Sequence, residues 1–408
     1  MEYKNGTLHL DGYNVMDIAR EYGTPLYLYS ANALKENYKR YEKAFSGIDH
    51  VICYAVKANS NSELLKILAS MGAGADVVSG GELYLAMRAG IDPAKIVFSG
   101  VGKSRSEIEQ AIDTGICFIN IESEDELNAV GEIAAGKTDP VRISFRINPD
   151  IDAKTHPKIS TGLKKSRFGI PAARMLEMYE KAAGMKNIEI TGVHLHIGSQ
   201  ITDTGPFELA GEAAAGFVDS LDKKGIQIKY IDVGGGLGIP YENMDVPSPD
   251  DMFSVLEKYI IGRPQKLILE PGRSIVGNTG WLLTTINYIK KGAEKNFVIV
   301  DAGFNDFVRP AMYEAYHKII PVETGGEKMV ADIGGPVCES GDLMAADREV
   351  AGVKRGNVLA ICDSGAYGFS MSSNYNSRLK PAEVVIDENG PRLIRRRETY
   401  EDLTTTEE

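Results

Sequence analysis

The chain has 408 residues, of which 43% are hydrophobic, 25% charged and 8% aromatic, ordinary proportions for a globular protein long enough for two domains with a core each. Forty-five Lys and Arg against 57 Asp and Glu leave a formal net charge of −12, which argues against nucleic acid or an anionic membrane as an obligate partner. The opening MEYKNGTLHLDGYNVMDIA carries charges within its apolar stretches, so no secretory or transit leader is expected, and no apolar run of about 18 residues predicts a membrane span. The expected address is the cytoplasm. Cys53, Cys117, Cys338 and Cys362 lie far apart with no CxxC pair, which predicts neither a disulfide framework nor a zinc knuckle.

In chain order, TLHLDG (7–12) reads as a strand that precedes the first helix, ANALKENYKRYEKAF (31–45), and is expected to join a second domain. From 51 to 272 a short apolar run, a Gly or Ser, and a helical-period stretch alternate. The runs are VICYAVKA (51–58), GADVVS (74–79), KIVFSG (95–100), ICFINIES (116–123), VRISFRIN (141–148), ITGVHLHIG (190–198), IKYIDVGGG (228–236) and KLILEPG (266–272). Near-continuous apolar strands suit a parallel sheet covered on both faces. Stretches such as SELLKILASMG (62–72), GELYLAMRAG (81–90), SEIEQAIDTG (106–115) and EDELNAVGEIAAG (124–136) read as amphipathic helices closing on Gly.

Eight alternations predict an α/β fold with a (β/α)8 TIM-type barrel over 27–272; an open doubly wound sheet is the other arrangement of the same elements. After 272 the pattern changes to WLLTTINYI (281–289), NFVIVDAG (296–303), KMVADIGG (328–335) and NVLAICDSGAYG (357–368) with turns between. This predicts a mainly antiparallel β domain made of 1–26 and 273–408, which includes the N-terminal strand. The charged tail RRRETYEDLTTTEE is expected to fray.

Chemistry-bearing residues fall where the apolar runs finish: Lys57, Arg146, Asn148, His196, Gly234 to Gly236 and Glu270. In a barrel those ends share one mouth. Lys57 at a hydrophobic strand end would lose its proton cheaply, as Schiff-base chemistry with an aldehyde requires, or it could snorkel to solvent. GGGLG (234–238) offers a phosphate-binding loop or a plain tight turn. EPGRS (270–274) at the next strand end adds Arg273, which can fork onto a phosphate. Glu270 should face a cation or a donor; opposite pyridoxal phosphate it would keep the ring nitrogen protonated.

His194 and His196 share a strand face in an HxH pattern that some metal hydrolases use, but the other histidines lie elsewhere, so no metal site is expected. An imidazole stacked on a cofactor ring fits better. Cys53 and Cys117 read as core thiols, whereas Cys338 beside Glu339 in GPVCESGD reads as a loop thiol or a proton donor to carbon.

YAVKAN with Lys57, HLHIGSQ with His196, GGGLG, EPGR, RPAMYEAYH, GPVCESGD and GAYGFSMSSNYNSR, in this order and with the loop THPKISTGLKKSRFGI (155–170), resemble the diaminopimelate decarboxylase family over residues 5 to 400. The resemblance implies a fold-type III enzyme using pyridoxal 5′-phosphate, a head-to-tail homodimer with shared active sites, and conversion of meso-2,6-diaminopimelate at its D centre to L-lysine and carbon dioxide, the last step of lysine biosynthesis. It further implies that Lys57 holds the cofactor as a Schiff base, that His196 stacks on its ring and that Glu270 pairs with its nitrogen. Ser199, Gly236, Glu270, Pro271, Gly272, Arg273 and Tyr367 would lie along the cofactor, with Asp76 and Glu82 near the lysine. Arg273, Arg309, Tyr313 and Tyr367 would contact substrate, Arg309 and Tyr313 with Arg273 gripping its distal carboxylate. Glu339, from the partner subunit, would face the distal amino group, and Cys338, also from the partner, would protonate Cα. A sister decarboxylase of ornithine, arginine or carboxynorspermidine, a non-catalytic pyridoxal-phosphate carrier and an amino acid racemase are the rival readings.

Overall fold

The computed structural model describes all residues except 154–161, 163–165, 243 and 326. The chain divides into two compact units: a barrel unit, Asn37–Ile239 with Asp245–Ser274, and a β unit, Met1–Glu36 and Ile275–Glu408 with Pro240–Met244.

The barrel strands are β1 (His50–Ala55), β2 (Gly74–Val77), β3 (Ile96–Phe98), β4 (Phe118–Ile121), β5 (Val141–Asn148), β6 (Ile188–His194), β7 (Tyr230–Asp232) and β8 (Lys266–Leu269). Each pairs in parallel with the next, and β8 returns to β1, so the sheet closes as the apolar runs predict. β2, β3 and β4 are buried along their whole length, the condition under which a strand loses its polar alternation. Cys53 and Cys117 pack with Val97, Phe118 and Ile268, and burial pushes both thiols up.

The helices start where side chains cap them. Ser104 and Glu107 form a capping box before Arg105–Thr114, and Gly115 closes that helix in the left-handed region. Ser79 and Ser123 cap the helices Gly80–Arg88 and Glu124–Ala134. Among the described residues no helix is long and apolar enough to cross a membrane.

In the β unit the long strand Gly280–Lys290 pairs antiparallel with Phe297–Val300, Val358–Ile361 and Leu26–Ser30. Glu327–Gly334 pairs antiparallel with Leu343–Val353, and Ala382–Asp387 runs parallel to Leu26–Ser30. The Thr7–Leu10 strand forms a small meander with Glu2–Lys4 and Tyr13–Asn14, tied to this unit by the Leu8 N–H donating to the Val322 carbonyl at 2.8 Å. Leu8, Leu10, Val15, Leu28, Trp281 and Val384 share its core.

The tail differs from the frayed end expected. Residues Tyr400–Thr404 form a 3-10 turn capped by Thr399 and Asp402, and Arg396 forks onto Asp402 at 2.5 and 2.7 Å. A bidentate guanidinium pair gives short charged sequence a fixed shape that composition alone does not announce. Most of the loop 155–170 lies outside the described residues.

Candidate active site

Within the barrel unit the predicted residues gather at the C-terminal strand ends. β1 passes into the 3-10 turn Val56–Ala58, which carries Lys57. Its Nζ donates to Asp76 Oδ2 of β2 at 2.5 Å. Asp76 is fully buried; burial and the nearby Glu270 push its carboxyl up, against the pull of the Lys57 ammonium. Glu82, on the helix after β2, accepts the Val78 N–H at 2.8 Å, and burial pushes its carboxyl up to about 7 while Lys57 pulls the other way. A half-buried lysine therefore faces two carboxyl groups, both pushed up by burial.

β6 ends at His194, and the chain turns through His196 and Ser199. His196 Nδ1 accepts the Gly235 N–H at 3.2 Å. Burial, then the positive charges of Arg146 and Lys57, push this imidazole well below its usual range, so the ring is neutral with its proton on Nε2. Arg146 is itself buried at the end of β5, 3.1 Å from Glu122. A neutral, flat ring can lie on an aromatic cofactor without the desolvation cost of a cation.

The triple glycine that follows β7 is required by crowding. A Cβ on Gly235 would stand 2.0 Å from the Glu270 carbonyl oxygen, and one on Gly236 would stand 2.5 Å from the Gly198 carbonyl oxygen. Gly234 and Gly236 also hold φ of +68° and +112°, which side chains rarely adopt. The turn is thereby laced to its neighbours: Glu270 N–H donates to the Gly234 carbonyl at 2.8 Å, and Ile201 N–H to the Gly236 carbonyl at 2.9 Å. Beyond Glu270, the Pro271 carbonyl accepts the Ala55 N–H, and Gly272 sits where a Cβ would press on Ala55 and Ala58. Arg273 then reaches back to donate to Ser199 Oγ at 2.9 Å. Ser199, Gly236 and Arg273 thus form a cradle of donors suited to a phosphate.

Glu270 is 3% exposed, with Oε2 3.3 Å from His194 Nε2 and 3.9 Å from His196 Nδ1. Asp232 stands behind it, its Oδ1 accepting the Gly234 N–H at 2.8 Å. Burial and the Glu270 charge push the Asp232 carboxyl well up. Burial works against the Glu270 charge too, but His194 and Lys57 outweigh it and hold that carboxyl below the usual range. The two buried acids in contact are thus pushed in opposite directions, as one shared negative charge favours.

His194, Asp232 and Glu270 each bring a ligand atom within 4.8 Å of the others, a spacing that would also suit a metal ion, yet His196 of the HxH pair is outside that group. Sequence reasoning missed the part played by His194 and Asp232. The one signal was that HLH and IDVGGG end neighbouring strands.

These features fit pyridoxal phosphate. The buried Glu270 carboxylate can accept from a donor such as a pyridinium N–H, the glycines clear room beside Ser199 and Arg273 for a phosphate, and Lys57 supplies an amine for an aldehyde.

In the β unit, Arg309 opens the short helix Arg309–Tyr313, is 5% exposed, and lies over the rings of Tyr241 and Tyr313 at 5.1 and 5.9 Å. Cys338 and Glu339 are exposed on a loop. The Cys338 N–H donates to Asn376 Oδ1 at 2.8 Å, and buried Asp342 holds the loop base by accepting the Val337 and Phe304 N–H groups at 2.7 and 2.6 Å. Tyr367 is half-buried with φ of +56°, a strained position for an aromatic residue.

Residues 31–277 match the model of the pyridoxal-dependent decarboxylase, pyridoxal binding domain. A diaminopimelate decarboxylase of Aquifex aeolicus is 50% identical over 403 residues, 98% of this chain and 96% of that protein. The crystal structure of diaminopimelate decarboxylase from Helicobacter pylori complexed with L-lysine is 45% identical with a TM-score of 0.94, covering 97% of this chain and 99% of that one. That from Methanocaldococcus jannaschii in co-complex with L-lysine is 42% identical with a TM-score of 0.95, covering 100% and 97%. With a barrel built to receive pyridoxal phosphate and relatives that match it from end to end, this chain belongs to the diaminopimelate decarboxylase family of pyridoxal-dependent carboxy-lyases.

Proposed function

We propose that this chain decarboxylates meso-2,6-diaminopimelate at its D centre to give L-lysine and carbon dioxide, the closing step of lysine biosynthesis, with Lys57, His196 and Glu270 around the cofactor. The observation that carries this is the ring of strand ends in the barrel unit, where Lys57 lies on Asp76 and Glu270 stands beside a glycine cradle. Pyridoxal phosphate, when bound, supplies an electron sink for the pair left as the bond from Cα to the carboxylate breaks. Lys57 would hold the cofactor through its aldehyde. Glu270, held low, would keep the pyridine nitrogen protonated, and neutral His196 would cover the ring face. Ser199, Gly236 and Arg273 receive the phosphate, with Pro271, Gly272 and Tyr367 completing the lining.

A substrate with an amino acid at each end needs a cation and an anion at its far end. Arg309 and Tyr313, with Arg273, take the distal carboxylate, and Tyr367 borders the substrate. The exposed Cys338 and Glu339 serve in trans in a homodimer, Glu339 facing the distal amino group. The Cys338 thiol gives its proton to Cα and recovers one from water. Four unpaired cysteines suit the reducing cytoplasm as the place of work.

The test is a parallel incubation of the holoenzyme with meso-diaminopimelate, ornithine and arginine, following carbon dioxide and lysine. Lysine from diaminopimelate alone is expected. Release from ornithine or arginine at a comparable rate would overturn the distal-pocket roles.

A further inference from the structure

His317 is fully buried in the β unit, edge-on to Phe307 at 4.6 Å and to Tyr241 at 4.9 Å. Its Nδ1 lies 2.9 Å from the Cys362 carbonyl oxygen, which can only accept, so Nδ1 carries a proton. Its Nε2 lies 3.3 Å from Arg309 Nε, which can only donate, so Nε2 carries none. The two contacts fix a neutral imidazole in a single tautomer. We propose that His317 is a positioning residue for substrate recognition, a neutral acceptor that sets the plane of the Arg309 guanidinium for the distal carboxylate. This rests on the reading of Arg309 given above.

The choice of a neutral acceptor matters chemically. A carboxylate in its place would hold the Nε edge more strongly but cancel the charge that draws the substrate anion. An imidazole locked by the Cys362 carbonyl constrains the fork and leaves that charge intact. Tyr241 touches both partners, lying under the Arg309 guanidinium and against the His317 ring, so the pair is held as one layer.

L-lysine retains the distal carboxylate of diaminopimelate, whereas 1,5-diaminopentane has none, so the two are matched probes. Calorimetric titration of each into the holoenzyme is the experiment. His317→Asn keeps a donor for the Cys362 carbonyl and removes the acceptor; His317→Phe keeps the ring contacts and removes both polar atoms. Each is expected to weaken L-lysine binding about tenfold, the worth of one lost hydrogen bond to a charged group, and to leave 1,5-diaminopentane unchanged. His317→Gln, which places an amide oxygen within reach of Arg309, should recover most of the loss. Unchanged lysine affinity in His317→Asn, or equal weakening of both probes, overturns the proposal. Arg309→Gln separates the layers: if it too leaves lysine binding intact, the Arg309 reading itself fails, and if it alone weakens lysine, only the His317 assignment does.

Discussion

A Lys57→Ala protein is expected to form no lysine above background and to release pyridoxal phosphate during gel filtration. Lys57 extends from the turn after β1, with its Nζ on a fully buried carboxylate of β2. Alanine removes the amine proposed to anchor the cofactor and strands Asp76 without the cation facing it. Loss of a group that bonds covalently in catalysis costs roughly 10⁴-fold or more in kcat. Carbon dioxide release and the visible absorbance of the bound cofactor measure the two halves of the prediction. Turnover near the wild-type rate would remove Lys57 from the mechanism.

The Cys338→Ala protein should behave differently, keeping its cofactor and its absorbance while losing roughly 10²- to 10⁴-fold in kcat, the worth of one positioned proton donor. The thiol sits exposed on a loop that Asp342 and Asn376 hold in shape, so alanine is tolerated there without a folding cost. If the partner subunit supplies this thiol, the two inactive proteins complement each other. Mixing Lys57→Ala with Cys338→Ala and allowing exchange should restore about a quarter of the wild-type sites, since half the dimers are mixed and each mixed dimer has one intact site. No recovery, with exchange shown by mass spectrometry, would place Cys338 in its own subunit's site.

The barrel was legible because its strands are covered on both faces and read as apolar runs, and because Lys57, His196 and Glu270 stand where those runs stop. Other parts left weaker marks. Leu343–Val353, LMAADREVAGV, interleaves buried with exposed positions and carries charges, so it does not resemble the apolar runs around it. Leu26–Ser30 is fully buried at the centre of the antiparallel sheet, although its place in the chain lies next to the first barrel helix.

In the site, Asp232 and His194 matter only because β6, β7 and β8 are neighbours, which sets both against Glu270. His317 is set apart by its two polar contacts, and no spacing pattern encodes the carbonyl of Cys362 as a partner. The glycines are the converse case. GGG reads as an ordinary turn, and the reason for all three is the approach of the Glu270 and Gly198 carbonyls, a tertiary fact.

The stereochemistry of the reaction tests the central claim most directly. The holoenzyme should be given meso-, LL- and DD-diaminopimelate separately, and the lysine formed resolved on a chiral column against the carbon dioxide released. A site that reacts at a D centre while gripping an L centre predicts equimolar carbon dioxide and L-lysine from the meso isomer, with no product from the LL isomer. Turnover of the LL isomer, or D-lysine from the meso isomer, would contradict it.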